Sequence, residues 1–577
     1  MCWPKKSAEQ RFYPQSIDEI RKIEYPLLQE TTYLDHAGTT LYPQSCIARV
    51  SKDLTSNLFG NPHSQSPSSA LSTHRIEDVR SQMLTFFKAD PKYFDLVFVP
   101  GATAAIKLVA ETLRDHSRRR TNGSFWYGYH AAAHTSLVGV RQLAKPGSTC
   151  FNSDQEVEDW LETVGDGCQY DIKASEVGLF AYPAQSNMNG RRLPLDWPGR
   201  LRSSQRSEHR SIYSLLDAAA YVATAPLDLS DEDKAPDFVA LSFYKLFGFP
   251  DLGALIVRRE AGHVMHDRNY FGGGTVDMVI NGSAEAWHAR KQTSLHEALE
   301  DGTPPFHSII ALESAVHVHR SLYGNMSNVS GHTTNLCKVL YDQMVLLRHH
   351  NGAAVCRVYK DPNGHYGQGE SQGPTIGFNV RKACGAWVRK SDFEKLAIIN
   401  GIQLRTGGLC NPGGIAWALD LTPSELMANY DEGLRCGNGI DELNGKPTGI
   451  IRVSLGAMSS MRDIEILLQF LRLFIETHRD IPKTRVAVFE ETEVKDLLPS
   501  KKLLSISQLV TTGLDFQVQA SQHDGKTPLR CPVGTCRLPL GVLSEQELLR
   551  HFQIHKIKRP KKRRFDIPRF CSHLCHG

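Results

Sequence analysis

Phe238-Val239-Ala240-Leu241-Ser242-Phe243-Tyr244-Lys245-Leu246-Phe247-Gly248-Phe249-Pro250 carries an apolar run straight into a lysine and then into a turn bearing glycine and proline. The run reads as a buried strand, and Lys245 stands just beyond its carboxyl end. An unpaired ammonium is unfavourable away from water. Desolvation also lowers a lysine's pKa and makes the neutral amine a nucleophile, the state that imine formation with a carbonyl compound requires. A surface lysine at a strand end would look the same in isolation, so the rest of the chain decides.

Working outward, residues 31 to about 310 alternate short β-branched or aromatic runs with helical patterns. Leu96-Val97-Phe98-Val99 precedes a helix over 103–114; further strands are read at 177–182, 212–216 and 253–257. This alternation predicts an α/β domain: a mostly parallel sheet flanked by helices, with functional residues just past strand carboxyl ends. A smaller α+β domain is expected next, with a helix over 333–349, strands at 375–380 and 449–453, and an amphipathic helix over 463–477. In that helix Ile464, Leu467, Leu468, Leu471 and Phe474 share one stripe, which is core packing. The expected organisation is an N-terminal segment (1–30), a large domain (31–315), a small domain (316–482), a linker (483–530), a metal-binding module (531–556) and a basic tail (557–577).

The 577 residues, 41% hydrophobic and 22% charged, fit a soluble globular protein of two or three domains. No apolar run reaches membrane-spanning length, and Met1-Cys2-Trp3-Pro4-Lys5-Lys6 lacks the apolar core of a secretory signal. Thirteen scattered cysteines suit a reducing compartment, so a cytoplasmic location is expected. Residues 556–577 hold eight Lys/Arg and one Asp, a balance of +7 against +4 for the whole chain, so the first 555 residues sum to −3. The basic character belongs to the tail.

Other candidates also sit beyond predicted strands. Asp217 follows Ile212–Leu216 and precedes Ala218-Ala219-Ala220; small neighbours would let a flat ring lie close, although a helix N-cap reads the same way. Gly101-Ala102-Thr103 opens a helix, where free N–H groups and a hydroxyl form an anion site. Thr275, after Gly272-Gly273-Gly274, offers another hydroxyl, His134 a ring-stacking lid, and Asn187 a hydrogen bond to a ring oxygen. An imine lysine, an acid for a pyridine nitrogen, a phosphate cradle and a lid are the four demands of pyridoxal 5'-phosphate.

Taken in order, the motifs resemble the class V aminotransferase family of fold-type I pyridoxal phosphate enzymes, in particular its cysteine desulfurase group and the molybdenum cofactor sulfurase branch. Tyr33-Leu34-Asp35-His36-Ala37-Gly38-Thr39-Thr40, Gly60-Asn61-Pro62-His63-Ser64, His134–Arg141, Tyr182–Asn187, Leu216–Ala219, Ser242–Pro250, Tyr270–Thr275 and Leu404–Asn411 carry the likeness over roughly residues 30–478. The resemblance implies that Lys245 forms the imine, Asp217 faces the pyridinium, His134 stacks and Asn187 meets the ring hydroxyl. Ala102, Thr103, Ser242 and Thr275 would serve the phosphate. It implies a homodimer, because Gly-Gly-Thr commonly reaches across one. It also makes Cys410, in Thr406-Gly407-Gly408-Leu409-Cys410-Asn411, the nucleophile that takes sulfur from L-cysteine as a persulfide and leaves alanine. Glycines on both sides suggest a loop free to swing that thiol. Arg452 matches the arginine that holds the substrate carboxylate, with Arg405 as a second candidate.

The chain departs from simple desulfurases at Ala220, where many have glutamine, and at Tyr244, where they have histidine; both choices resemble the molybdenum cofactor sulfurase branch. The β-rich domain with which that branch continues has no recognisable motif after residue 480. The sulfur acceptor stays open between molybdenum cofactor, a molybdoenzyme and others. Instead, Cys531-x4-Cys536-x14-His551-x3-His555 offers four ligands suited to a structural zinc ion in a ββα finger. Lys556–Arg564, seven basic residues in nine, suits nuclear import or nucleic-acid contact, or is a solvated tail. Two other readings remain at this level: a different class V reaction such as a C–S lyase or transaminase, and a zinc-finger nucleic-acid-binding protein with an inactive enzyme domain.

Overall fold

The computed structural model describes residues 12–477 apart from 122–124, 145–146, 164–176, 206–210 and 283. Within them, seven strands form one sheet in the spatial order Phe94–Val99, Gly253–Arg258, Phe238–Ser242, Ser211–Asp217, Val177–Pro183, Trp126–His130, Ser148–Phe151. Only Gly253–Arg258 runs antiparallel to its neighbours. Both faces are covered, which explains why the strands read as unbroken apolar runs. Along Phe94–Val99, Leu96 and Phe98 join the core on one side while Val97 and Val99 join the core on the other. The sheet is the mostly parallel, helix-flanked platform that the alternation predicts.

A second, antiparallel sheet has the order Cys356–Val358, Thr375–Val380, Ile450–Ser454, Arg405–Gly407. The helix Met461–Arg472 packs on the helix Met326–Met344, opening on a capping box of Ser460 and Asp463 and burying Ile464, Leu467, Leu468 and Leu471. Its N-terminal end is tied to the start of the chain: Arg21 makes a two-pronged contact with Asp463 at 2.6 and 3.0 Å, both side chains buried. The segment after Tyr33 lies along the second sheet, with Ser454 N–H donating to Leu34 O at 2.8 Å and Asp35 bridging to Ser454. Sequence positions 35 and 452 are thereby brought together.

The helix expected over 333–349 is observed at Met326–Met344. Asn325 caps it by accepting from Asn328 N–H, and Gly331 lies where a Cβ would meet Phe12 at 2.6 Å. That glycine interrupts the sequence pattern yet serves packing. No helix among the described residues is long and apolar enough to cross a membrane. The proposed zinc ligands Cys531, Cys536, His551 and His555, and the basic tail, lie outside the described residues. Among those described, no group of three or more His, Cys, Asp or Glu is placed to hold a metal ion.

Candidate active site

Lys245 sits in the short helix Phe243–Phe247, which starts directly from the strand Phe238–Ser242 and ends at Gly248 in the left-handed conformation. A Cβ at 248 would meet the Leu41 and Tyr42 backbone at 2.4 Å, so the turn that presents the lysine requires glycine. Lys245 lines a cleft with His36, Thr40, Thr224, Thr375 and Ser454. Burial pushes its pKa below the ordinary lysine value; Asp217 opposes the shift, and Arg452 and Arg405 add to it. The amine is biased towards the neutral, nucleophilic form.

Asp217 ends the adjacent strand, in register with Pro183 on one side and Ala240 on the other. It is 8% exposed, and Oδ1 accepts from Ala219 N–H at 3.0 Å. His134 lies at the start of the Thr135–Val138 turn. Its Nδ1 accepts from Ser136 N–H at 3.2 Å, which places the ring proton on Nε2. Burial lowers the His134 pKa, Asp217 counters this and Lys245 reinforces it, so the ring is neutral at neutral pH. These mutual effects put the three predicted groups within one electrostatic neighbourhood.

The predicted anion cradle is assembled from three elements. Ala102 N–H, at the start of the long helix Ala102–Thr121, donates to Ser242 Oγ at 2.9 Å, and Thr103 Oγ1 pairs with Ser136 Oγ at 2.8 Å. Ser136 is a member that residue-by-residue reading passed over. Thr275 is not drawn into this group: its buried hydroxyl donates to Gly272 O at 2.8 Å within its own turn.

The Cys410 loop is held more firmly than its glycines suggest. Leu409 and Cys410 both adopt left-handed backbone, φ +54° and +52°, a conformation that side chains resist. Thr135 N–H donates to Cys410 O at 2.9 Å, and Asn187 Nδ2 donates to Leu409 O at 2.8 Å. Asn411, fully buried, donates to Asn187 Oδ1 at 2.9 Å and to Ala132 O at 3.0 Å, and accepts from Gly414 N–H at 2.9 Å. The glycines allow close approach: a Cβ at 413 would run into the Ala131 carbonyl. Cys410 itself is exposed, tethered to the His134 turn. Asn187 therefore spends its amide on the loop, a role beyond the ring contact expected of it.

Arg452 is 2% exposed in the middle of its strand, directly opposite Arg405. Asp35 joins them: Oδ1 is 2.5 Å from Arg452 Nη2, and Oδ2 is 2.9 Å from Arg405 Nε and 2.8 Å from Nη2. Arg452 Nη1 donates to Asn187 O at 2.9 Å. Both arginines act on Lys245, which places this cluster beside the amine.

With this geometry in place, comparison with known proteins is decisive about family: residues 32–467 match the family described as Aminotransferase class-V. The chain belongs to the class V aminotransferase family. Among class V relatives, a molybdenum cofactor sulfurase of Aspergillus fumigatus is 55% identical over 464 residues, covering 80% of this chain and 54% of the relative. The chain thus spans about half the length of the curated relatives it matches. A cysteine desulfurase from Thermococcus onnurineus shares the fold with a TM-score of 0.59 at 20% identity, covering 81% of this chain and 99% of that one. A cysteine desulfurase from Escherichia coli does so at 0.56 and 20%, covering 79% and 98%.

Proposed function

We propose that the chain is a pyridoxal phosphate-dependent cysteine desulfurase of the molybdenum cofactor sulfurase type. One observation carries this: Lys245, Asp217 and His134 share an electrostatic neighbourhood at strand ends, and the exposed Cys410 is hydrogen-bonded through its backbone to the turn that His134 begins. A desulfurase needs that combination of amine, buried acid, neutral ring and accessible thiol.

The donor set fits pyridoxal phosphate. Lys245 would hold it covalently, Asp217 would face its ring nitrogen with the oxygen not engaged by Ala219, and Ala102, Thr103, Ser136 and Ser242 would receive its phosphate at the helix start. When bound, it supplies an electron sink for the substrate's Cα. In its neutral form the amine of Lys245 would accept the Cα proton. The Cys410 thiolate attacks the substrate sulfur; the C–S bond breaks and its electron pair stays on Cβ, which takes up a proton, while Lys245 returns the proton it holds to Cα. L-cysteine and the Cys410 thiol thus become L-alanine and a Cys410 persulfide. Arg452, with Arg405, receives the substrate carboxylate.

The names of the matched relatives support molybdenum cofactor as the eventual sulfur acceptor. A homodimer would explain Thr275, whose turn would then serve the partner's phosphate site. The test is incubation of purified protein with L-cysteine: alanine should appear with persulfide mapped to Cys410, and Cys410→Ala should abolish the persulfide. Alanine or pyruvate formation that persists unchanged in Cys410→Ala would instead assign a thiol-independent class V reaction.

A further inference from the structure

Asp35 lies within a motif near the amino terminus, yet it is the hub of the charge cluster beside Lys245. Its two oxygens are divided between the two guanidiniums, one for Arg452 and one for Arg405. The contact depends on Gly38, where a Cβ would lie 2.6 Å from both Asp35 Oδ2 and Arg405 Nη2. Arg452 Nε is buried with no hydrogen-bond partner among the described residues, an N–H still to be satisfied. The nearby cation Arg21 is already matched by Asp463, and His36 is held neutral by burial, its pKa pushed down to about 3. Two guanidiniums against one carboxylate leave a single net positive charge.

We propose that Asp35 is a specificity residue that sets the charge of the substrate-carboxylate site: by cancelling one of two guanidinium charges, it selects amino acids with one carboxylate over those with two. A fully hydrated pair would discriminate little, but Arg452 is buried and the Asp35 side chain is only 13% exposed, and unbalanced charge on their side of the cluster is unfavourable. Without Asp35 the site would carry two positive charges and favour a dianionic ligand. Without Arg405 it would carry none beyond Arg452 balanced by Asp35, and would discriminate against dianions more strongly. The assignment rests on the desulfurase reading for the identity of the site.

L-asparagine and L-aspartate, near-isosteres that differ by one negative charge, are the probes. Their inhibition constants against L-cysteine turnover, and their affinities by calorimetric titration into the cofactor-loaded protein, give one ratio by two routes. Asp35→Asn should shift that ratio towards aspartate by about tenfold, and Arg405→Gln should shift it towards asparagine by a similar factor. Since the ratio compares two ligands on one variant, a general loss of affinity does not move it, as it would for a residue of purely structural role. A ratio within twofold of the unaltered protein's in both variants overturns the proposal. Should Asp35→Asn fail to fold, Arg405→Gln decides alone, because the Arg405 side chain is 49% exposed. Absence of alanine from the unaltered protein defeats the desulfurase reading, whereas the calorimetric ratio still tests the charge assignment.

Discussion

Asn187 Nδ2 donates to the carbonyl oxygen of Leu409 across 2.8 Å, fixing the residue immediately before the exposed thiol of Cys410. Through this bond a residue expected to serve the cofactor also holds the nucleophile's loop. Because Leu409 and Cys410 are both left-handed, the loop stores backbone strain that such anchors must offset.

Asn187→Ala removes the bond to Leu409 and the one accepted from Asn411. At about 1 kcal/mol net each, the two bonds amount to about 2 kcal/mol, so amide hydrogen exchange across residues 408–411 should accelerate about 30-fold. The peptide containing the buried strand Val177–Pro183 should exchange at its former rate. Equal exchange of the loop in both proteins would show that the anchor is dispensable.

Asp217→Asn keeps the shape of the side chain and removes its charge. Of the two carboxylates that hold the Lys245 pKa up against burial, Asp217 has the larger effect and Asp35 the smaller. In the cofactor-free variant the pH midpoint for acylation of Lys245, followed by mass spectrometry, should therefore move further down. Turnover of L-cysteine should fall at least about 100-fold, the scale seen when a buried electrostatic group of an active site is lost. A midpoint that stays or rises would mean that Asp217 does not act on Lys245.

Arg452→Lys preserves charge but not the planar fork. It loses either the contact with Asn187 O or that with Asp35, since one ammonium cannot reproduce both in the same geometry. The KM for L-cysteine should rise about tenfold or more, with kcat affected less. An unchanged KM would remove Arg452 from the substrate site.

Stability should fall in mild acid. His319 and His332 are buried and neutral, with pKa values pushed down to about 4 by desolvation, and His36 lies lower still, at about 3. Unfolded, each titrates near 6.5, so between pH 6.5 and the folded pKa the unfolded chain binds more protons and stability drops as pH falls. His319 packs edge-on against Phe247 and Tyr323. His319→Phe should flatten the fall in Tm below pH 6.5, by the equivalent of about 2 kcal/mol at pH 5. A Tm profile parallel to that of the unaltered protein would contradict this.

Lys245 and Asp217 were legible in the sequence because each ends an apolar run, and a strand's carboxyl end in a parallel sheet faces the site whatever the tertiary details. Cys410 was legible only through the likeness of its motif. Its restraint was not, because glycines that look like freedom in the sequence are used for close backbone approach at Ala131 and Gly407. Asp35 escaped for a different reason. Its partner Arg452 is 417 positions away, and their meeting depends on the pairing of residues 34–35 with the Ile450–Ser454 strand. Helix ends were similarly hidden: Met326 begins a helix because Asn325 caps it and Phe12 packs on Gly331, neither of which the apolar spacing records.

The central claim, that the amine of Lys245 anchors pyridoxal phosphate, is tested most directly by borohydride reduction of the cofactor-loaded protein followed by peptide mapping. The account predicts a single pyridoxyl adduct on Lys245, lost in Lys245→Ala. An adduct on another lysine, or no adduct at all, would contradict it.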